Sequence, residues 1–245
     1  MGLFDLPAPV FAWLDGLLGG MAPPTLRLAI WGLIAAAVSM GLYWLVSPQR
    51  RIAEAKAEAT AARRELDAYD GDLDGAWPLI RRVVGTAFGQ IGLVAWPAVA
   101  GSLPVLALLL WLSTAYGHAF PADDTDIAIS TVPQTLQARL EPADDPAFGN
   151  PDRRIVVVDD GGQVVEQVPL PAPVPIIHKR QWWNALIGNP IGYLPDNGPL
   201  ERIELDMPQR EYLPIGPGWL RAWYVVFFGS VLCASLAIKV AGRIE

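Results

Sequence analysis

A single cysteine, Cys233, occurs in the 245 residues, so no internal disulfide can form and cysteine usage does not report a redox compartment. Histidine is almost as scarce, with only His118 and His178. There is no HExxH pair, no GxSxG elbow, no cysteine-rich cluster and no phosphate-cradling glycine loop. Two histidines could hold a metal only with carboxylate help, and the acidic spacing marks no such site. No nucleophile and base pair can be named, so a tethered hydrolase is disfavoured, and the chain is read as non-enzymatic with no cofactor and no metal site. Residues 1–25 contain Asp5 and Asp15 but no Lys or Arg, which is not the pattern of a cleaved signal peptide. A net charge of −7 disfavours nucleic acid as a partner.

Charge is also missing locally. Charged residues make up 18% of the chain, and none falls in the stretches Leu28–Gln49, Val83–Ala122 and Ala222–Ile238. Each is close to or longer than the ~20 residues that a membrane-spanning helix requires. With 52% apolar residues, the composition fits the bilayer better than water. The expected fold class is membrane α-helical, with three transmembrane helices and an added small β-sandwich-like domain. Its parts are an interfacial N-terminal segment (1–25), transmembrane helix 1 (26–47) and a cytoplasmic helical hairpin (48–82). An amphipathic segment with transmembrane helix 2 (83–116), a β-rich domain (117–218) and transmembrane helix 3 with a cytoplasmic tail (219–245) follow. Phe4, Leu6, Val10, Phe11, Leu14, Leu17 and Leu18 give the first segment one apolar face, suited to a helix lying at the interface, with a disordered apolar tail as the other reading.

Positive residues near span ends set topology. Arg50, Arg51, Arg63, Arg64, Arg81 and Arg82 all lie between spans one and two, so that loop is expected in the cytoplasm, with the N-terminus and residues 117–218 outside. Lys239 and Arg243 then return the C-terminus to the cytoplasm. Arg27 and Arg221 fall at the outer ends, where they would snorkel to headgroups or pair with the acidic domain. Trp31, Trp111, Tyr116, Trp219 and Trp223 would form the outer aromatic belt, and Tyr43, Trp44 and Trp77 the inner one.

Ile52, Ala55, Ala59, Ala62 and Leu66 repeat at alternating steps of three and four, a helix with a narrow alanine stripe. The stripe favours close approach of another helix but is too small to drive a long coiled coil alone; the helix is either solvated or packed on the segment that follows. Asp70, Asp72, Asp74 and Gly75 imitate the start of a calcium loop, but the twelfth position is Arg81, so a turn with capping aspartates is the better reading. Pro97 and Pro104 predict a break before span two. Gly85, Gly89 and Gly92, together with Ser230, Cys233, Ala234 and Ala237, form small-residue faces that either pack the spans together or meet another subunit. The polar positions available to a groove are Ser39, Gln90, Ser102 and Ser230.

Residues 117–218 carry 15 acidic and 7 basic side chains. Short β-favouring runs occur at 126–132, 136–141, 155–158, 164–168 and 203–205. Asp159, Asp160, Gly161 and Gly162 separate two valine-rich runs and predict a hairpin turn. The stretch WWNALIGNPIGYLPDNGP is too broken for a regular strand; Trp182 and Trp183 either anchor at the membrane surface or fill space.

The order of parts, with SPQRR closing span one, a charged helix, an amphipathic segment and a span reading SLPVLALLLWLSTAYG, resembles the YidC/Oxa/EMC membrane insertase superfamily. The similarity covers residues 26–116 and, more weakly, Trp219–Glu245, and implies a cytosolic hairpin and a bundle open to lipid. The β-rich insertion has no counterpart in the minimal members. SPQRRIA, PLERIELDMP and WYVVFF also resemble a group of uncharacterised bacterial three-span membrane proteins, which implies bacterial origin and architecture. The combined expectation is a multi-pass subunit of the bacterial inner (cytoplasmic) membrane. It would pack with other integral membrane proteins in the bilayer and hold a β-domain in the periplasm; the alternative is insertase-like activity.

Overall fold

The computed structural model describes residues 2–122, 125–142 and 153–242, the side chains of 241 and 242 excepted. The helices are α1 (Ala8–Gly19), α2 (Pro24–Val46), α3 (Gln49–Asp67), α4 (Leu73–Tyr116), the short α5 (Gly218–Arg221) and α6 (Trp223–Gly242). The strands are β1 (Ile129–Val132), β2 (Gln137–Pro142), β3 (Arg153–Val158), β4 (Val164–Pro169), β5 (Ile176–His178) and β6 (Arg202–Leu205). Helices α2, α4 and α6 are long and apolar enough to cross a membrane.

Two compact units divide the chain, and the long helices run through both. The first comprises Met1–Gly32 and Leu106–Ser230. It contains two antiparallel three-stranded sheets of order β1-β6-β5 and β2-β3-β4. Ile155 and Val157 from one sheet and Ile177, Ile203 and Leu205 from the other enter a single buried cluster, completed by Leu170, Leu194, Leu200 and Met207. Each such side chain contributes roughly 1.5–3 kcal/mol by leaving water. The β region thus consists of two small antiparallel sheets that share one core. The hairpin turn is also present. Gly162 adopts φ +78°, a region that favours glycine, and the Asp159 carboxylate accepts from the Gly161 and Gln163 amides, both at 2.9 Å. Strand β5 was not expected, because Pro173, Pro175 and a run of only three residues hide it.

The second unit comprises Leu33–Val105 and Val231–Glu245. In it α3 turns its alanine stripe inward: Ala62 is buried and Ile52, Ala55, Ala59 and Leu66 are half-buried. An ion pair of 2.6 Å between the half-exposed side chains of Glu65 and Arg82 links α3 to α4. The aspartate-rich turn caps α4, with Asp72 Oδ1 accepting the Gly75 amide at 3.3 Å.

The break expected at Pro97 and Pro104 is absent. Helix α4 is continuous over 44 residues and contains Pro78, Pro97 and Pro104. Proline removes one amide donor per site, but a chain that leaves the helix in an apolar setting strands several backbone groups, and the helix is the lower-energy choice. The backbone does break at Ala222, which is extended (φ −71°, ψ 156°) and separates α5 from α6.

Candidate functional site

Asp15, on the apolar helix α1, gathers three side-chain donors among the described residues of the first unit. It receives the Arg27 guanidinium at 3.0 Å, the Trp31 indole N–H at 3.0 Å and the Tyr116 hydroxyl. Asp15 and Arg27 keep only 14% and 20% of their side-chain surface, so the pair is largely withdrawn from water, and removing one partner would strand the other. Arg27 also stacks over the Tyr116 ring, with Cζ 5.5 Å from its centroid. Phe11, Trp31 and Trp111 form a triangle of rings with centroids 5.4–5.8 Å apart, which seals the apolar side of this cluster.

Here the sequence expectation is corrected. Trp31 is 1% exposed and Tyr116 2%, so both are core residues rather than members of an interfacial belt. Arg27 pairs with Asp15 of α1. Arg221 does pair with the acidic domain, at 2.6 Å from Glu211. Trp219, at 63% exposure, remains available to an interface.

The β region joins the helix ends through hydrogen bonds. The Tyr212 hydroxyl donates to the Tyr116 carbonyl at 2.8 Å, the Tyr212 carbonyl accepts from the Thr25 hydroxyl at 3.1 Å, and the Tyr212 amide donates to the Arg221 carbonyl at 2.7 Å. Burial raises the Tyr212 phenol above its ordinary pKa, against a lowering effect of Arg210, so the hydroxyl stays a donor. The segment before α1 forms a second attachment. Gly2 and Gly188 both donate their amides to Asp5 Oδ2, at 2.7 and 2.9 Å, and the Phe4 amide reaches the Leu186 carbonyl at 3.0 Å.

Beside these attachments lies a cavity of about 920 Å³, walled by β5, the 181–190 loop, Glu201, Arg202 and the last turn of α4. Both histidines line it. Burial holds His118 below its ordinary pKa, so it is neutral at pH 7. His178 Nδ1 lies 2.6 Å from the Lys179 carbonyl and donates to it. Trp183 stands 5.2 Å from His178, centroid to centroid, and is 39% exposed, whereas Trp182 is 85% exposed, so neither tryptophan is buried. A smaller cavity of about 340 Å³ lies between Ala8, Pro9 and Ala12 of α1 and Leu110 and Trp111 of α4. Ser113, Thr114 and residues 187–190 line both cavities.

The residues singled out from sequence lie mostly elsewhere. A Cβ placed on Gly85, Gly89 or Gly92 would meet nothing within 4 Å, so this face packs no other part of the described chain. The glycine that does allow close helix approach is Gly101, whose Cβ would lie 3.1 Å from the Ser39 carbonyl oxygen. On α6, Ser230 and Ala234 are half-buried behind Phe227, while Cys233 and Ala237 face away, so the expected stripe is split between two faces. Ser102 and Ser230 donate their hydroxyls to the Val99 and Val226 carbonyls of their own helices, both at 2.8 Å, and Gln90 is half-buried. Arg50, Arg51, Arg63, Arg64, Arg81 and Arg82 are all exposed. Among the described residues no three His, Cys, Asp or Glu side chains are grouped as a metal site. No family model, curated protein or solved structure matches the chain.

Proposed function

We propose that this protein is a non-enzymatic, multi-pass subunit of the bacterial inner membrane that holds its β region in the periplasm as a rigidly mounted docking element for a membrane-protein complex. One observation carries the reading: the β region is fastened to the helix ends rather than carried on a linker. Tyr212 bonds to Tyr116, Thr25 and Arg221, Asp5 ties the N-terminal segment to Gly188, and Asp15 ties α1 to α2 and α4. Rigid mounting fixes the height and orientation of a surface, which a docking element needs and an independently tumbling domain does not. The unoccupied face of Gly85, Gly89 and Gly92 supports a neighbour within the bilayer, since small residues let helix backbones come close.

The resemblance to membrane insertases points instead to a polar groove near Ser39, Gln90, Ser102 and Ser230. Two of those hydroxyls are bonded within their own helices, which favours the subunit reading. Purification of the tagged native protein in mild detergent, followed by mass spectrometry across a sizing column, tests the choice. A fixed set of membrane partners in constant stoichiometry is the expected result. A mixture of unrelated nascent apolar segments overturns it in favour of the insertase.

A further inference from the structure

Two joined elements of the first unit reverse the burial rule of water-soluble folds, in which apolar side chains turn in and polar ones turn out. Along α1 and the residue before it, Leu6, Val10, Trp13 and Leu17 are exposed, Trp13 at 64%. Their steps of four, three and four place them on one helical stripe. The charge of the same helix is turned inward, where Asp15 meets Arg27, Trp31 and Tyr116. The loop at 182–187 repeats the inversion. Its polar Asn184 is 1% exposed and bonds to the Gln181 amide and the Ile187 carbonyl, while Trp182, Leu186 and Ile187 are exposed. The Phe4 amide bonds to the Leu186 carbonyl at 3.0 Å and the Gly188 amide to Asp5 at 2.9 Å, so the two elements are neighbours. Asp5 and Asp15 are the only charged side chains of residues 1–26, both are engaged, and residues 181–195 have none.

Such a surface suits the boundary between headgroups and acyl chains and is unfavourable against water. Its position selects lipid as the occupant. Helix α1 passes through residues 20–23 into α2, which is long and apolar enough to cross a membrane, and Asp15 clamps α1 to Arg27 and Trp31 in the first turns of α2. The stripe is therefore held beside the point where α2 enters the bilayer. We infer that α1 and the 182–187 loop form a second membrane attachment, lying in the headgroup boundary on the side where α2 begins, with Trp13 and Trp182 as its aromatic anchors. The β region then rests on the lipid surface through this loop instead of standing clear of it. This inference rests on the membrane reading given above.

Spin-label accessibility of the full chain in nanodiscs of mixed phosphatidylethanolamine and phosphatidylglycerol tests it. Cys233→Ser removes the native thiol, and labels are placed singly at Val10→Cys and Leu186→Cys, both exposed positions that leave the two anchors intact. Asp160→Cys, exposed on the hairpin turn, is the aqueous reference, and Val38→Cys on α2 the membrane reference. At Val10 and Leu186 the ratio of collisions with oxygen to collisions with a water-soluble nickel chelate is expected to be severalfold above that at Asp160. A ratio equal to that at Asp160 would place the patch in water, and few collisions with either reagent would place it under protein; each overturns the inference. In the unmodified chain, a photoactivatable phospholipid should crosslink to residues 1–19 and 181–190, and absence of crosslinks there overturns it as well. An aqueous ratio at Val38 refutes the membrane reading itself, whereas a lipid ratio at Val38 with aqueous ratios at Val10 and Leu186 refutes only this attachment.

Discussion

The Asp15 carboxylate on α1 accepts the Trp31 indole N–H of α2 at 3.0 Å, and the same oxygen receives the Tyr116 hydroxyl at the end of α4. Three helices thus share one carboxylate, whose charge is balanced by Arg27. A carboxylate that serves three helices is worth more to the fold than any single bond, because its loss leaves a guanidinium, an indole and a phenol in want of an acceptor.

Asp15→Ala is therefore expected to destabilise the protein by about 3 kcal/mol, the cost of leaving a largely buried charge unpaired. Asp15→Asn should cost less, since the amide oxygen still accepts from Trp31. Thermal unfolding in detergent, followed by tryptophan fluorescence, would read both, and equal midpoints for wild type and Asp15→Ala would refute the clamp.

Burial lowers the pKa of His118, so the folded state disfavours its protonation relative to the unfolded chain. The unfolded state binds the extra proton, and stability must fall as pH drops below the ordinary value of 6.5, down to the lower folded pKa. His118→Asn should flatten this acid limb of the unfolding midpoint between pH 7 and 5 while leaving the alkaline side unchanged. A limb of unaltered slope would assign the pH dependence to other groups.

Glycines on α4 should divide into two classes. Gly101→Leu places a side chain against the Ser39 backbone and is expected to cost about 1–3 kcal/mol by overpacking. Gly89→Leu projects into open space and should change the stability of the isolated chain by less than about 0.5 kcal/mol. If the Gly85, Gly89 and Gly92 face meets a neighbouring subunit, Gly89→Leu will reduce partner recovery on purification while the unfolding midpoint holds. Unchanged recovery would remove that face from the interface.

At Gly2 a Cβ would lie 2.6 Å from the Gly188 nitrogen and from backbone atoms of Leu186. Gly2→Val should release the N-terminal segment, and amide hydrogen exchange at Phe4 and Gly188 should rise because both donors lose their acceptors. Protection at β3, within the sheet, should stay the same. Unchanged exchange at Phe4 would show that the segment is held by α1 alone.

Local features were readable from the residues themselves. The three long apolar helices, the alanine stripe of α3, the Asp72 turn and the Asp159–Gly162 hairpin depend on composition, period or a single φ preference, each set within a few neighbours. The split of the tryptophans was not readable, because an amphipathic ring suits a core and an interface equally. Continuity of α4 through Pro97 and Pro104 reversed a local rule, since an apolar setting penalises broken backbone more than two missing donors. The Asp15 clamp joins residues 101 positions apart, and the cavity beside β5 is lined by both His118 and His178, which are distant in the chain. No periodicity encodes such juxtapositions; they exist only once the chain has closed on itself, and for Asp15 the withdrawal from water makes its partners obligatory.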